Sequence, residues 1–450
     1  MRMMIMSWSM CFHEVLDPEM LNTSLSELLT VGNWRKLGGR PRLAEDGKLE
    51  LHIPEAFSPS RPAVHFTTEP SSSSVMSHPL ASTIPSLFSH STHVLSRPRI
   101  LNTPSTLTPM LAGPEAPTTF SDYTTTDRPL LSLHVITFND AAFVTITYPH
   151  SVTDGMGRKE LVENWCRVLA GRKEDVKPLA DPTFDPMARI AQSEKQRYNE
   201  TFLWEHKRLR GWGKLRFTLN LLWYLLTNRI RQRNLFIPAA TLRTLRQSAE
   251  ADTSQSPEAA TRLSDSDILT AWLVRLACSH ITRSSPAKPI AVSTALDLRG
   301  RLHEEDMPAD VGLRLQPRGV QLDKHDGSGL TDAQIYASTK LTYNAVAESG
   351  STNQFTEPNG FVVSVSNVSK ARFHEVIDFS PAIVKTEGGG AEERMTPRGR
   401  IVWQCNTPRV RMHPPCLVYI QGKDHAGNYL AQMLVAEKTW RVIEETISKM

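Results

Sequence analysis

One short stretch brings residues capable of chemistry close together: His150-Ser-Val-Thr-Asp154-Gly155-Met-Gly157. A neutral imidazole near pH 7 can take a proton from an attacking group and return it to a leaving group, which makes His150 a candidate general base. Asp154 has two readings. It can cap the amphipathic segment Arg158–Ala170, in which case the stretch is an ordinary surface turn. Alternatively it belongs to a site and shapes the loop that aims His150. Other signatures are missing: there is no GxSxG elbow, no GxxxxGK[ST], no GxGxxG after a strand and no HExxH. Those absences argue against a serine hydrolase, an NTPase, a dinucleotide oxidoreductase or a zinc protease. The five cysteines (Cys11, Cys166, Cys278, Cys405, Cys416) form no CxxC pair and no Cys/His zinc spacing. They read as reduced, mostly buried thiols, and no metal site is expected.

The elements around this stretch decide how it is presented. Leu130–Phe138 and Ala141–Tyr148 alternate across the turn Asn139-Asp140, so a hairpin carries His150 to the end of its second strand. Leu161, Trp165, Val168 and Leu169 then recur at helical spacing, and Gly171 stops the helix. A strand–turn–helix exposes its turn. Upstream, Asp17-Pro18 opens a helix through Val31, while Trp34–Gly39 and Lys48–Ile53 read as short strands joined at Glu45-Asp46-Gly47. Residues 70–119 are rich in Ser, Thr and Pro and read mostly as loop. Further on, helices are expected from Pro238, from Ser264 and over Thr331–Glu348. Strands are expected at Pro289–Leu296 and Phe361–Val365, then a hairpin over Cys416–Ala436 and a closing helix from Glu437.

At 450 residues the chain has room for two domains, and 51 Lys+Arg against 47 Asp+Glu implies no nucleic-acid face. No run of 18 apolar residues occurs, so no transmembrane segment is expected. The apolar start Met1–Phe12 lacks a cleavage site and reads as a mature cytosolic N-terminus, giving a cytoplasmic protein. Residues 203–236 are basic and aromatic. They could lie on a membrane surface. The preferred reading is a linker helix whose apolar side packs between domains.

In register over some 350 residues, several segments resemble the BAHD acyltransferases, in particular their fungal secondary-metabolism branch. Trp34–Arg40 with Lys48–Pro54 is similar to the family's early segment, and His150-Ser-Val-Thr-Asp154-Gly155 to its HxxxDG signature. Ser264–Trp272 is similar to a second-domain helix, Asp297-Leu-Arg299-Gly-Arg301 to the D-x-R-x-R strand end, and Asp378-Phe379 to the start of the Asp-Phe-Gly-Trp-Gly box. That box here continues Ser380-Pro381-Ala382, without its tryptophan and glycines, and the family's first strand is expected to precede Met1.

The resemblance implies an α/β fold of two chloramphenicol-acetyltransferase-like domains, mixed sheets flanked by helices, with the active site at their interface. The expected division is 1–185, a crossover linker at 186–237, and 238–450. It implies acyl transfer, most simply acetyl, from acyl-CoA to a hydroxyl of a small-molecule alcohol such as a terpenoid or polyketide. No cofactor is bound permanently, and the protein is a monomer. N-acylation of an amine and a degenerate, ligand-binding member are the alternatives. His150 would be the base and Asp154 would turn away from substrate to pair with an arginine. Gly155 would let the loop bend and the substrate approach. Asp378 would pair with Arg299 or, failing that, Arg301, and Ser366 would stand in as an oxyanion donor. Pro381 is expected to keep its loop extended, leaving a roomier site that suits a polycyclic acceptor.

Overall fold

The computed structural model describes residues 4–84, 97–101, 107–179, 186–192, 200–252, 263–295, 297–299, 322–323, 337–338, 340–341, 344–345, 354–384, 396–409 and 414–450. Arg301 and most of the expected helix Thr331–Glu348 lie outside these.

Among the described residues, fourteen strands run in chain order: β1 (Ile5–Phe12), β2 (Arg40–Leu43), β3 (Leu49–His52), β4 (His65–Pro70), β5 (Arg99–Leu101), β6 (Ser132–Thr137), β7 (Ala142–Pro149), β8 (Ile230–Ile237), β9 (Ile290–Thr294), β10 (Leu322–Asp323), β11 (Phe361–Asn367), β12 (Trp403–Arg409), β13 (Leu417–Lys423) and β14 (Tyr429–Ala436). The six longer helices are α1 (Pro18–Leu28), α2 (Gly155–Leu169), α3 (Gly211–Thr227), α4 (Ala239–Asp252), α5 (Asp265–Ser284) and α6 (Glu437–Ile447). A five-stranded sheet has the order β12-β1-β7-β6-β4, a seven-stranded sheet the order β10-β9-β11-β13-β14-β8-β5, and β2-β3 form a separate ribbon. Both large sheets are mixed: β4–β6, β9–β11 and β11–β13 are parallel, the other pairings antiparallel.

The sheets trade edge strands. β12, from the last tenth of the chain, lies along β1, while β5, from the first quarter, lies along β8. Pro408 shows why β12 was invisible as a strand: proline cannot donate to a ladder and is tolerated at a sheet edge, where this strand sits. β1 hid for another reason. All eight of its residues are buried, so its sequence shows no alternation, and it forms an inner strand where the family's first strand was expected to precede Met1.

Trp34–Gly39, expected as a strand, is for the most part the 3₁₀ helix Gly32–Gly38, and the strand β2 begins only at Arg40. The reach of Trp34 favours this turn: its indole N–H donates to the Lys177 carbonyl at 2.8 Å and the ring is buried. The segment 186–237 holds both α3 and β8, and β8 is an inner strand of the second sheet. The expected packing of the apolar side of α3 is partial: one face is half-buried against the second half, and no residue of α3 is fully buried.

One core lies between the first sheet and α1 with α2, where Trp165 donates to Ser24 Oγ at 2.9 Å. A second lies between the seven-stranded sheet and α4–α6. α5 begins where a helix was expected, at Ser264, and its N-terminus is a capping box of Ser264 and Asp267.

Candidate active site

β7 is buried along its whole length and ends at Pro149, and the His150 N–H continues the ladder by donating to the Met4 carbonyl at 2.7 Å. The backbone of His150 is therefore fixed by an inner strand. Its ring is fixed by the turn: Nδ1 lies 2.9 Å from the Thr153 carbonyl. A carbonyl only accepts, so in the neutral ring Nδ1 carries the proton and Nε2 keeps the free lone pair. Burial pushes the imidazole below its ordinary value; the Thr153 carbonyl and Asp154 oppose this, and the Arg158 cation adds to it. A neutral ring with one free nitrogen is the form a proton acceptor needs.

Asp154 caps α2 and also pairs with an arginine. Its Oδ1 accepts from the Gly157 N–H at 2.7 Å, capping α2, and its Oδ2 accepts from Arg299 Nη2 at 2.7 Å. Neither oxygen bonds the histidine, so this is not an acid–histidine relay. Burial alone would raise the Asp154 carboxyl; Arg299 and the Gly157 N–H hold it below the usual carboxylate range. Protein crowds both groups, yet His150 is half-buried and the Asp154 side chain keeps 43% of its surface.

Arg299 follows β9, so this ion pair joins the first sheet's α2 to the second sheet. Asp297 Oδ1 holds the guanidinium from behind, 2.7 Å from Nε. The expected pairing of Arg299 with Asp378 is thereby corrected. Asp378 Oδ2 accepts from Arg400 Nη2 at 3.1 Å, Oδ1 caps Ser380 N–H at 3.0 Å, and its own N–H meets Cys166 Sγ at 3.3 Å. Cys166 lies twelve residues along α2 from its N-cap, about 18 Å at 1.5 Å per residue. The expectation of an extended loop is also corrected, since Ser380–Ala382 is a 3₁₀ turn with Pro381 in its first turn, where no N–H is required. Phe379, fully buried, stacks on Phe12 at 5.2 Å and meets Trp165 edge-on at 4.6 Å. This box is core of the first half, so the missing tryptophan gives no argument for a roomier site.

Gly155 serves a purpose other than the one expected. Its backbone is ordinary helix, and a Cβ there would overlap Val368 Cγ1, just beyond β11. Glycine allows α2 to press against the second half. Ser366, expected at the end of a strand, lies inside β11 opposite Tyr419, partly exposed, and its hydroxyl has no partner among the described residues.

Sequence reading passed over Arg158. It is buried, donates to Asn406 Oδ1 on β12 and to Tyr419 Oη on β13 (2.6 Å), and lies over the rings of Trp8 (4.7 Å) and Phe373 (5.1 Å). One cation thus ties α2 to both sheets. The only signal was a charged residue on the first turn of an amphipathic helix, which is ordinarily solvated.

His150 and the Asp154–Arg299 pair thus stand where α2 of the first half meets the second sheet. A family model described as "Transferase family" matches residues 115–316. The chain is 31% identical to the acetyltransferase adrJ of Penicillium roqueforti, covering 100% of this chain and 93% of that one. It is also 31% identical to calD of Penicillium decumbens, a protein named a transcriptional regulator, covering 99% and 92%. TRI101 of F. sporotrichioides, solved with coenzyme A and T-2, shares the fold: TM-score 0.59 at 12% identity over 98% of this chain and 94% of that one. The chain belongs to the BAHD-type acyltransferase family, fungal branch, and is an acyl-CoA-dependent O-acyltransferase. Acyl-CoA is its co-substrate, and a small molecule its acceptor. No helix among the described residues is long and apolar enough to cross a membrane.

Proposed function

We propose that His150 Nε2 is the base that deprotonates the acceptor hydroxyl. The observation that carries this reading is the Nδ1–H bond to the Thr153 carbonyl, which leaves Nε2 unprotonated. As the proton moves to Nε2, the acceptor oxygen bonds to the thioester carbonyl carbon. The tetrahedral intermediate then expels coenzyme A by breaking its C–S bond, and His150 returns the proton to the thiolate. No acyl-enzyme forms. Asp154 and Arg299 hold the turn in place without touching the reacting atoms, and the unpartnered Ser366 hydroxyl serves as oxyanion donor. Asp378 acts only at a distance, by bracing the far part of α2.

The acyl group is acetyl, a reading supported by the acetyltransferase named among the relatives, and the acceptor is a polycyclic fungal alcohol of terpenoid or polyketide type, a reading that rests on the family resemblance alone. The enzyme works as a cytoplasmic monomer. Coenzyme A release from acetyl-CoA, measured with a panel of polycyclic secondary alcohols, simple phenylpropanoid alcohols and amines, tests the whole reading. Turnover on the polycyclic alcohols that His150→Ala abolishes supports it, while preferred turnover on an amine or a flat phenolic overturns the acceptor assignment.

A further inference from the structure

α3 has too much apolar surface for a helix on the outside of a protein. Phe217, Leu221, Tyr224 and Leu225 are half-buried against the second half, where Tyr224 meets Phe361 at 5.2 Å and Gly213 lies over Pro358. The opposite face is apolar as well. Trp212, Leu215, Leu219, Leu222, Trp223 and Leu226 recur at helical spacing in one stripe, all exposed, Trp212 by 84%, Trp223 by 69% and Leu226 by 82%. Six large apolar side chains in one contiguous stripe form the kind of surface that marks an interaction site.

The charges around the stripe say what it meets. Between Glu205 and Glu250 the chain carries ten lysines and arginines and no carboxylate, within a protein whose total is only +4. Lys214, Arg216 and Arg229 are exposed and have no ion-pair partner among the described residues. Arg210 at the N-cap is ion-paired with Glu205, but Lys214 in the first turn opposes the helix dipole, which favours carboxylates there, and α3 has none in its first turn. A second copy would bring the same positive charges against these and be repelled. A surface that is apolar below and negative above fits both features, and exposed tryptophans flanked by cations suit the interface of a bilayer.

We propose that α3 lies in the plane of an anionic phospholipid surface, with its tryptophan–leucine stripe among the acyl chains and Lys214, Arg216 and the following Arg229 on the headgroups. The helix does not span the bilayer; the enzyme docks reversibly, and docking is independent of which acceptor it uses.

Co-sedimentation of the full chain with phosphatidylcholine vesicles, with and without phosphatidylserine, tests this. The protein should pellet with the phosphatidylserine vesicles, lose that binding as salt is raised, and bind neutral vesicles weakly. The Trp212→Ser/Trp223→Ser variant should bind at least about tenfold more weakly. The Lys214→Gln/Arg216→Gln/Arg229→Gln variant should fall to the level seen on neutral vesicles. Since no residue of α3 is fully buried and Arg229 is exposed, both variants should melt like the parent and release coenzyme A from acetyl-CoA, with a water-soluble acceptor, at the parent rate. Failure to bind phosphatidylserine vesicles, or equal binding by the tryptophan variant, overturns the proposal. So does concentration-dependent self-association that the tryptophan variant abolishes while vesicles capture nothing, which would give the face to a second copy.

Discussion

The two ends of α2 are held in opposite ways. Its N-terminus is gripped from across the junction: Arg299 binds the capping Asp154, Val368 presses on Gly155, and Tyr419 on β13 takes a bond from Arg158. Its C-terminal part is held from within the first core, by Ser24 on the Trp165 indole, by the ring of Phe379 and by the Asp378 N–H at Cys166. The end beside His150 therefore senses how the two halves align, and the far end senses only local packing. Substitutions at the first should reach turnover, and those at the second should register as stability alone.

His150→Ala carries the largest expected effect. Loss of the base should lower kcat by a factor on the order of 10²–10⁴ with the thermal midpoint unmoved. A well-folded alanine variant turning over at near the parental rate would remove His150 from the mechanism.

Arg299→Gln comes next, and here both readouts should move. It strips the junction-crossing partner from Asp154, and displacement of the turn by even an ångström costs about tenfold to a hundredfold in kcat/KM. The stability loss should be about 1–2 kcal/mol, less than for a sealed ion pair, because Asp154 keeps contact with solvent. Arg299→Lys should not restore activity, since a single ammonium cannot serve Asp154 and Asp297 at once as the guanidinium does. If Arg299→Gln lowers stability alone, the junction end is no different from the far end.

Acid should separate the two regions again. His150 sits below its ordinary value, so kcat/KM should rise with pH through a midpoint under the usual ~6.5 of an imidazole and be flat at neutrality. A midpoint above ~6.5 contradicts the assigned ring state. Stability should respond through His374, which burial first, and then the neighbouring His425, push down to about 3. The unfolded chain takes a proton near pH 6.5 and the folded one does not, so stability is full above that value. It should fall as pH drops, by about 2 kcal/mol at pH 5. Denaturant titrations at pH 7 and pH 5 should show a steeper slope in the parent than in His374→Asn, where the other buried histidines, His150 and His134 among them, leave a remainder.

The sequence revealed the His150 turn because its local pieces agree: an alternating strand, an Asp cap and an amphipathic helix. It revealed Asp378 as part of a box but misassigned its partner. Arg299 lies 79 positions before Asp378 and Arg400 lies 22 after it, and nothing in a linear chain says which guanidinium arrives. β1 and β12 were illegible for related reasons, one uniformly buried and the other an edge strand containing proline. Arg158 shows the limit most plainly. Its burial depends on Trp8, Phe373, Asn406 and Tyr419 converging from four distant segments.

Asp378→Asn should give the smallest effect and is the sharpest test of the comparison. Pairing with Arg299 would have made it a hinge between halves whose loss reached the active site. The structure instead pairs it with Arg400, in an ion pair whose carboxylate is 40% exposed and whose other oxygen caps the Ser380 N–H. Asparagine keeps that cap and loses only the charge on a partly solvated pair, which costs about 0.5–1 kcal/mol. The Phe379 ring, which carries the contact to Trp165, should not move. Turnover should therefore stay within about twofold of the parent while the unfolding midpoint drops slightly. A tenfold loss of kcat with the midpoint unchanged would mean that the far end of α2 communicates with His150 after all, and the division between the two ends would fall.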